Sequence, residues 1–161
     1  MSMEATFESK EVMDFLKNIK KRLKGVQNGE KKFVGILSSI VYADIIRHFE
    51  NEQGSKSSWA PWSKSYTEAL KIKGRSGNKK LQYSGKLRNN ISPISKGGNF
   101  RKTSDGFLWY NNAKTSTGFP YAAAHDVGGP KLPQRDFMWL SDKAMDNILQ
   151  GTLKFMFDEG V

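Results

Sequence analysis

Apolar residues recur at three- and four-residue intervals in two stretches near the start of the chain and in one near its end. From Ser9 to Lys24 the series Val12, Phe15, Leu16, Ile19 and Leu23 marks one face of a helix. Ser9 is placed to cap it, Glu11 lies in its first turn, and Lys20, Lys21, Arg22 and Lys24 crowd its last turn, an order that complements the helix dipole. Gly25 is then the left-handed residue that ends it. After an Asn28-Gly29 turn, Lys31 to Glu52 predicts a longer helix whose broad apolar face includes Phe33, Leu37, Val41, Ile45 and Phe49. The two form a helical hairpin that needs a flat partner.

The middle of the chain reads differently. Residues 53–62, QGSKSSWAPW, have loop composition, and Trp59 and Trp62 either fold back onto the core or meet a neighbouring subunit. A short helix through Thr67-Glu68-Ala69-Leu70 decays into KIKGRSGNKK, residues 71–80, a basic surface loop. Ser84 would cap a brief helix bearing Leu87 and Ile91 and ended by Pro93, with Gly85 allowing a tight backbone approach. Residues 99–103 and 107–111 flank Ser104-Asp105-Gly106 and predict a β-hairpin carrying Trp109. Gly128-Gly129-Pro130 and Pro133 break any regular element, and Arg135 to Leu140 predicts a third strand. Ser141-Asp142 opens a last helix with Met145, Ile148, Leu149, Leu153 and Met156 on one side. The expected fold is α+β: an N-terminal helical hairpin and a C-terminal helix packed on a small antiparallel β-sheet. One domain, 1–161, would comprise the hairpin (1–52), a loop-rich basic segment (53–98), the sheet region (99–140) and the C-terminal helix (141–161).

Composition narrows the function. Ten Phe, four Trp and five Tyr supply a core for one domain of 161 residues. With no cysteine, disulfides and thiolate metal sites are excluded. Met1 to Lys17 lacks the pattern of a secretory leader, and no apolar run approaches the roughly 20 residues that span a bilayer, so a protein kept in the cytoplasm, without a membrane partner, is expected. The net charge of +10 is concentrated: residues 59–115 hold 12 Lys and Arg against 2 acids, while the flanking regions nearly balance. Lys71, Lys73, Arg75, Lys79 and Lys80 therefore become candidates for contact with an acidic protein or with DNA, unless they only solvate the surface.

Candidate chemistry is sparse. His48 and His125 are the only histidines, and no phosphate loop, dinucleotide fingerprint, zinc helix or nucleophile elbow is present. No catalytic, cofactor or metal site is expected; a metal-dependent hydrolase centred on His125-Asp126 is the weak alternative. Tyr121 and Ala122 read as an aromatic residue packed over a small one. Arg135, between Pro133 and Phe137, either holds carbonyls at a bend or pairs with an acid across a subunit boundary.

Four segments carry a resemblance: W-A-P-W-S-K-S-Y-T at 59–67, L-x-x-S-G-K-L-R-N-N-I from Leu81 to Ile91, Y-A-A-A-H-D-V-G-G from Tyr121 to Gly129, and L-P-Q-R-D-F-M-W-L-S from Leu132 to Ser141. In this order they resemble the phage virion morphogenesis and tail-completion family, with Asp126 standing where the family commonly has Gln. The resemblance implies a structural protein of the head–tail junction or tail end (tail completion, tail terminator or neck) that assembles as a homo-oligomeric ring, a hexamer being expected. Its partners would be copies of itself, the tail tube and neck or connector proteins, with nonspecific contact to genomic DNA. It would be made in the host cytoplasm and reside in the virion. Trp59, Trp62, Ser84, Gly85, Leu87, Trp109, Tyr121, His125 and Arg135 are the motif or subunit-contact residues, and the basic loop would face the partner or the DNA in the ring lumen. A basic nucleic-acid-binding module, stacking bases on Phe100, Trp109 or Tyr110, is the alternative.

Overall fold

The computed structural model describes residues 10–28, 30–77, 79–91, 99–102, 107–130 and 132–157. More than half of them are helical. The order is α1 (Lys10–Asn28), α2 (Lys31–Asn51), α3 (Lys64–Ile72), α4 (Lys86–Asn89), β1 (Phe100–Lys102), β2 (Phe107–Trp109), α5 (Tyr121–Val127) and α6 (Asp142–Phe157). The expected α+β architecture is therefore wrong. The two strands pair antiparallel with Phe100 opposite Trp109, as the hairpin signal predicts, but three residues per strand make a ribbon rather than a layer on which helices could pack. Ser9, Gly29, Pro93 and the Ser104-Asp105-Gly106 turn lie outside the described residues.

The third strand fails for a specific reason. The backbone of residues 135–141 takes its hydrogen bonds from distant groups instead of a ladder. Arg135 N donates to His125 O (2.8 Å), and Phe137 N and Met138 N donate to Asp126 Oδ1 (3.1 and 3.3 Å). The Asp136 carbonyl accepts from Trp59 Nε1 (2.9 Å), the Phe137 carbonyl lies 3.1 Å from His48 Nδ1, and Ser141 N donates to Asp44 Oδ2 (2.8 Å). With its polar groups satisfied this way, the segment crosses the core as an extended strap. Phe137, fully buried, packs on Phe49 beside Trp59, and Leu87, Ile91 and Ala122 close the same cluster.

Helix α2 is the central element. Its length and apolar face match the periodicity, and Phe33, Leu37, Val41, Ile45 and Phe49 are all buried. It runs along α6, because Ser141 meets Asp44 at one end and Phe155 meets Phe33 at the other. Gly151 permits the approach: a Cβ there would sit 3.0 Å from Ile36 and 3.4 Å from Ile40. Asp44, 2% exposed, accepts from both Ser141 N and Ser141 Oγ (2.6 Å), and Ser141 Oγ accepts in turn from Ala144 N (3.2 Å). The carboxylate thus fixes the residue that caps α6.

Helix α1 departs from expectation. It continues through Gly25 to Asn28, so Gly25 is interior and not a left-handed stop. Glu30 explains the glycine: its N donates to Gly25 O (2.8 Å), and its carboxylate end occupies the space a Cβ would need. The helix leans on α6, where Arg22 Nη1 donates to Phe155 O (3.2 Å). Val26 packs on the cluster of Phe33, Leu37 and Phe155, but Phe15, Leu16 and Leu23 are exposed among the described residues.

Candidate functional site: an aromatic cleft

The segment after α2 builds one wall of a cleft. Glu52 ends α2 in the left-handed conformation (φ 52°), and its carboxylate accepts from Lys80 N (2.6 Å) and pairs with Lys80 Nζ. Lys79 Nζ donates to Glu50 O (2.8 Å) and Gln82 Nε2 to Phe49 O (2.8 Å), so residues 79–82 satisfy carbonyls that a helix C-terminus leaves open. Burial raises the Glu52 carboxyl, but the hydrogen bonds and charge of Lys80, with Lys79, outweigh it and leave the group below the usual carboxylate range. Between the anchors Leu81 holds a positive φ of 58°, strained for a side chain of this size, and points into the core cluster.

The opposite wall comes from the strap and the Trp-Pro loop. Arg135, 5% exposed, donates through Nε to Ala60 O (3.1 Å) and through Nη2 to Pro61 O (3.2 Å), bracing the bend after Trp59. Asp136 holds the preceding loop by accepting from Ser55 N (2.9 Å); burial raises its carboxyl, and the Ser55 hydrogen bonds more than reverse this. Ser63 caps α3 by accepting from Tyr66 N (3.3 Å), which sets the Tyr66 ring edge-on to Trp62 at 5.7 Å. Helix α5 forms the floor with Tyr121 and His125; it was not expected, since glycine and proline after it suggest irregular structure. Gly128, at φ 76°, ends α5 where the backbone of Gln134 would lie 2.8 Å from a Cβ, so no other residue lets the strap return this closely.

These walls enclose a cavity of about 760 Å³, within the range of ligand- and peptide-sized clefts. Trp62, Tyr66, Tyr83 and Tyr121 supply its aromatic lining, and Lys79, Arg135 and His125 its polar groups. No Asp or Glu lines it among the described residues. Burial, and then the Arg135 charge, push the His125 imidazole down and favour its neutral form; its Nδ1 is buried without a hydrogen-bond partner among the described residues. The cleft can therefore hold an apolar or aromatic group and would disfavour an added cation.

The residues singled out from sequence divide around this cleft. Trp62, Ser84, Leu87, Tyr121, His125, Arg135 and Lys79 line it. Trp59 lies beneath, buried edge-on against Phe49, and Gly85, at φ 71°, takes the N-cap position of α4 that Ser84 was expected to hold. Trp109 sits away from the cleft, against both core clusters. Of the basic loop, Lys80 is tied to Glu52, and Arg75 stacks 4.3 Å over Tyr83 and donates to its carbonyl (3.3 Å), while Lys71 and Lys73 lie on the exposed end of α3. Asp126 is committed to the strap backbone, which opposes its use beside His125 as a metal ligand, and no group of three metal-binding side chains occurs among the described residues. Tyr66, Leu81 and Tyr83 were missed, although each lies inside or beside a segment singled out for its motif. No helix among the described residues is long and apolar enough to cross a membrane. No family model, curated protein or solved structure matches this chain.

Proposed function

We propose that the chain is a structural protein of a tailed-bacteriophage virion, placed at the head–tail junction or tail end and assembled as a homo-oligomeric ring, without a catalytic role. The observation that carries this reading is convergence. The four segments on which the resemblance rests are scattered from Trp59 to Ser141, yet each contributes to the walls of one cleft. Their residues serve one geometry: Arg135 braces the Trp-Pro bend, Leu87 anchors beneath it, and Tyr121 and His125 form the floor. In this reading the cleft receives a segment of the adjoining neck or tail protein, since aromatic side chains and arginine dominate such contacts.

The test is to purify the protein, determine its mass by light scattering, and image it after mixing with tails that lack a terminator. A discrete ring that decorates tail ends is expected, and a Trp62→Ala/Tyr66→Ala variant should keep its fold while losing decoration. A monomer at every concentration that ignores tails would end the proposal. Of the basic set, Lys80 is half-buried and paired with Glu52, whereas Lys71, Lys73, Arg75 and Lys79 are exposed, Arg75 over the Tyr83 ring and Lys79 on the Glu50 carbonyl, so a basic nucleic-acid-binding module is the competing reading.

A further inference from the structure

Two apolar stripes lie outside both core clusters. On α1, Met13, Phe15, Leu16 and Leu23 are 41–53% exposed, although this helix has a well-segregated apolar face. On α6, Met145, Leu149, Leu153 and Phe157 repeat every fourth residue and are 40–55% exposed, forming a ridge beside the face that meets α2. An amphipathic helix gains stability from burying its apolar stripe, and among the described residues of one chain that burial is largely unmade.

We infer that the α1 stripe of one copy of this chain docks on the α6 ridge of the next. This rests on the ring proposed above and names the surface that builds it. Two quantities favour the assignment. The eight side chains leave on the order of 700 Å² of apolar surface, taking about 180–200 Å² for each side chain fully exposed. A standard interface of ~1,600 Å² is somewhat more than half apolar, so one α1-on-α6 contact supplies most of the apolar share and leaves a polar rim.

Charge selects the pairing. Helix α1 carries six basic and two acidic residues, whereas α6 carries Lys143 and Lys154 against Asp142 and Asp146. Two α1 helices face to face would bring like charge together, and two α6 ridges face to face would leave α1 uncovered. Placing α1 on α6 covers both stripes and sets the basic helix against one whose charges balance. Because the two surfaces differ, the contact is head-to-tail, the type that builds the proposed ring when its rotation closes.

Cysteine cross-linking tests the pairing cleanly, since the chain has none of its own. A mixture of Leu16→Cys and Leu149→Cys proteins should give the mixed disulfide dimer under mild oxidation, well above either like pair. Predominant Leu16→Cys homodimers would overturn the head-to-tail assignment. A Leu16→Asp/Leu149→Asp variant should keep its helical circular dichroism and weaken self-association by at least about thirtyfold. If that variant keeps the native oligomer mass, the interface lies elsewhere and this inference fails, while the ring stands. A native chain that is monomeric at all concentrations also overturns it; whether that chain decorates tail ends then judges the virion reading separately. Binding of a monomeric native chain to phosphatidylglycerol vesicles, abolished by Leu16→Asp, would reassign α1 to a membrane surface and overturn the inference too.

Discussion

Phe137 and Leu149 stand a short distance apart in sequence, yet one is fully buried and the other is 55% exposed. Phe137 belongs to the strap beneath the cleft, where Asp44, His48, Trp59 and Asp126 hold the backbone and the apolar side chains fill the space between them. Leu149 belongs to the α6 ridge, where no such framework surrounds it. The difference shows where one chain completes its own structure and where it leaves a surface unfinished. The cleft side is closed by long-range hydrogen bonds whose loss leaves buried groups unpaired. The α1–α6 side is regular helix with apolar surface to spare.

The widest separation between the two regions should come from truncating these two residues. Phe137→Ala is expected to cost about 3–5 kcal/mol in urea unfolding, through lost burial and a cavity against Phe49. Leu149→Ala, measured where copies are dilute, should stay within about 0.5 kcal/mol of the native chain. Equal losses would dissolve the distinction. A smaller effect, again confined to the cleft side, is expected at Asp126. Its Oδ1 accepts from two backbone N–H groups, so Asp126→Ala should cost about 1–3 kcal/mol, and Asp126→Asn, which keeps a carbonyl oxygen, clearly less. If Asn is as damaging as Ala, shape and not the acceptor holds the strap.

Acid should act on the cleft side as well. Glu52 and Asp136 both sit below the usual carboxylate range, so the unfolded chain takes up their protons first as pH falls. The stability they contribute is fully present only well above their unfolded values of about 4 and is lost as pH drops through their lowered folded values. Urea midpoints should therefore fall on acidification in the native chain and fall less steeply in a Glu52→Gln/Asp136→Asn variant. Parallel curves would locate the acid sensitivity elsewhere.

How much of this was legible in the sequence follows from the range of the forces involved. The bounds of α2 and the start of α6 are set by local periodicity and by Ser141, and both were readable. The β-hairpin pairing was readable from its turn and flanking runs. The third strand was not, because Asp44, His48 and Trp59, far away in the chain, and Asp126 on the preceding helix satisfy its backbone. Helix α5 did carry a signal, three consecutive alanines, which the glycines and prolines after it obscured. Sequence put the α1 stripe in a helical hairpin packed on a flat partner because amphipathicity says that a face will be covered, not by what. At the cleft, Arg135 and Tyr121 stood out through their motifs, whereas Tyr83 and Leu81 became visible only once Lys79 and Lys80 were seen strapping that loop to the end of α2.

The finest test of the cleft is a proton. Burial, then the positive field of Arg135, hold the His125 imidazole below its ordinary value, so the folded state resists a charge that the unfolded chain accepts freely. Above about pH 6.5 both states are neutral and the residue adds no pH dependence. As pH falls below that value the unfolded chain gains a proton the folded chain lacks, and stability declines until the folded value is reached. A shallow loss of stability between neutral and mildly acidic pH is expected in the native chain, and His125→Gln should flatten it while the steeper acid limb from Glu52 and Asp136 persists. Only once pH falls through the lowered folded value does the imidazole of the folded chain put a cation on the cleft floor beside Arg135, so binding of a tail or neck segment bearing a carboxylate should strengthen there, below the interval of stability loss, and that of an uncharged segment should not. A slope that survives in His125→Gln would move the titrating group off the cleft floor and leave His125 as a packing residue alone.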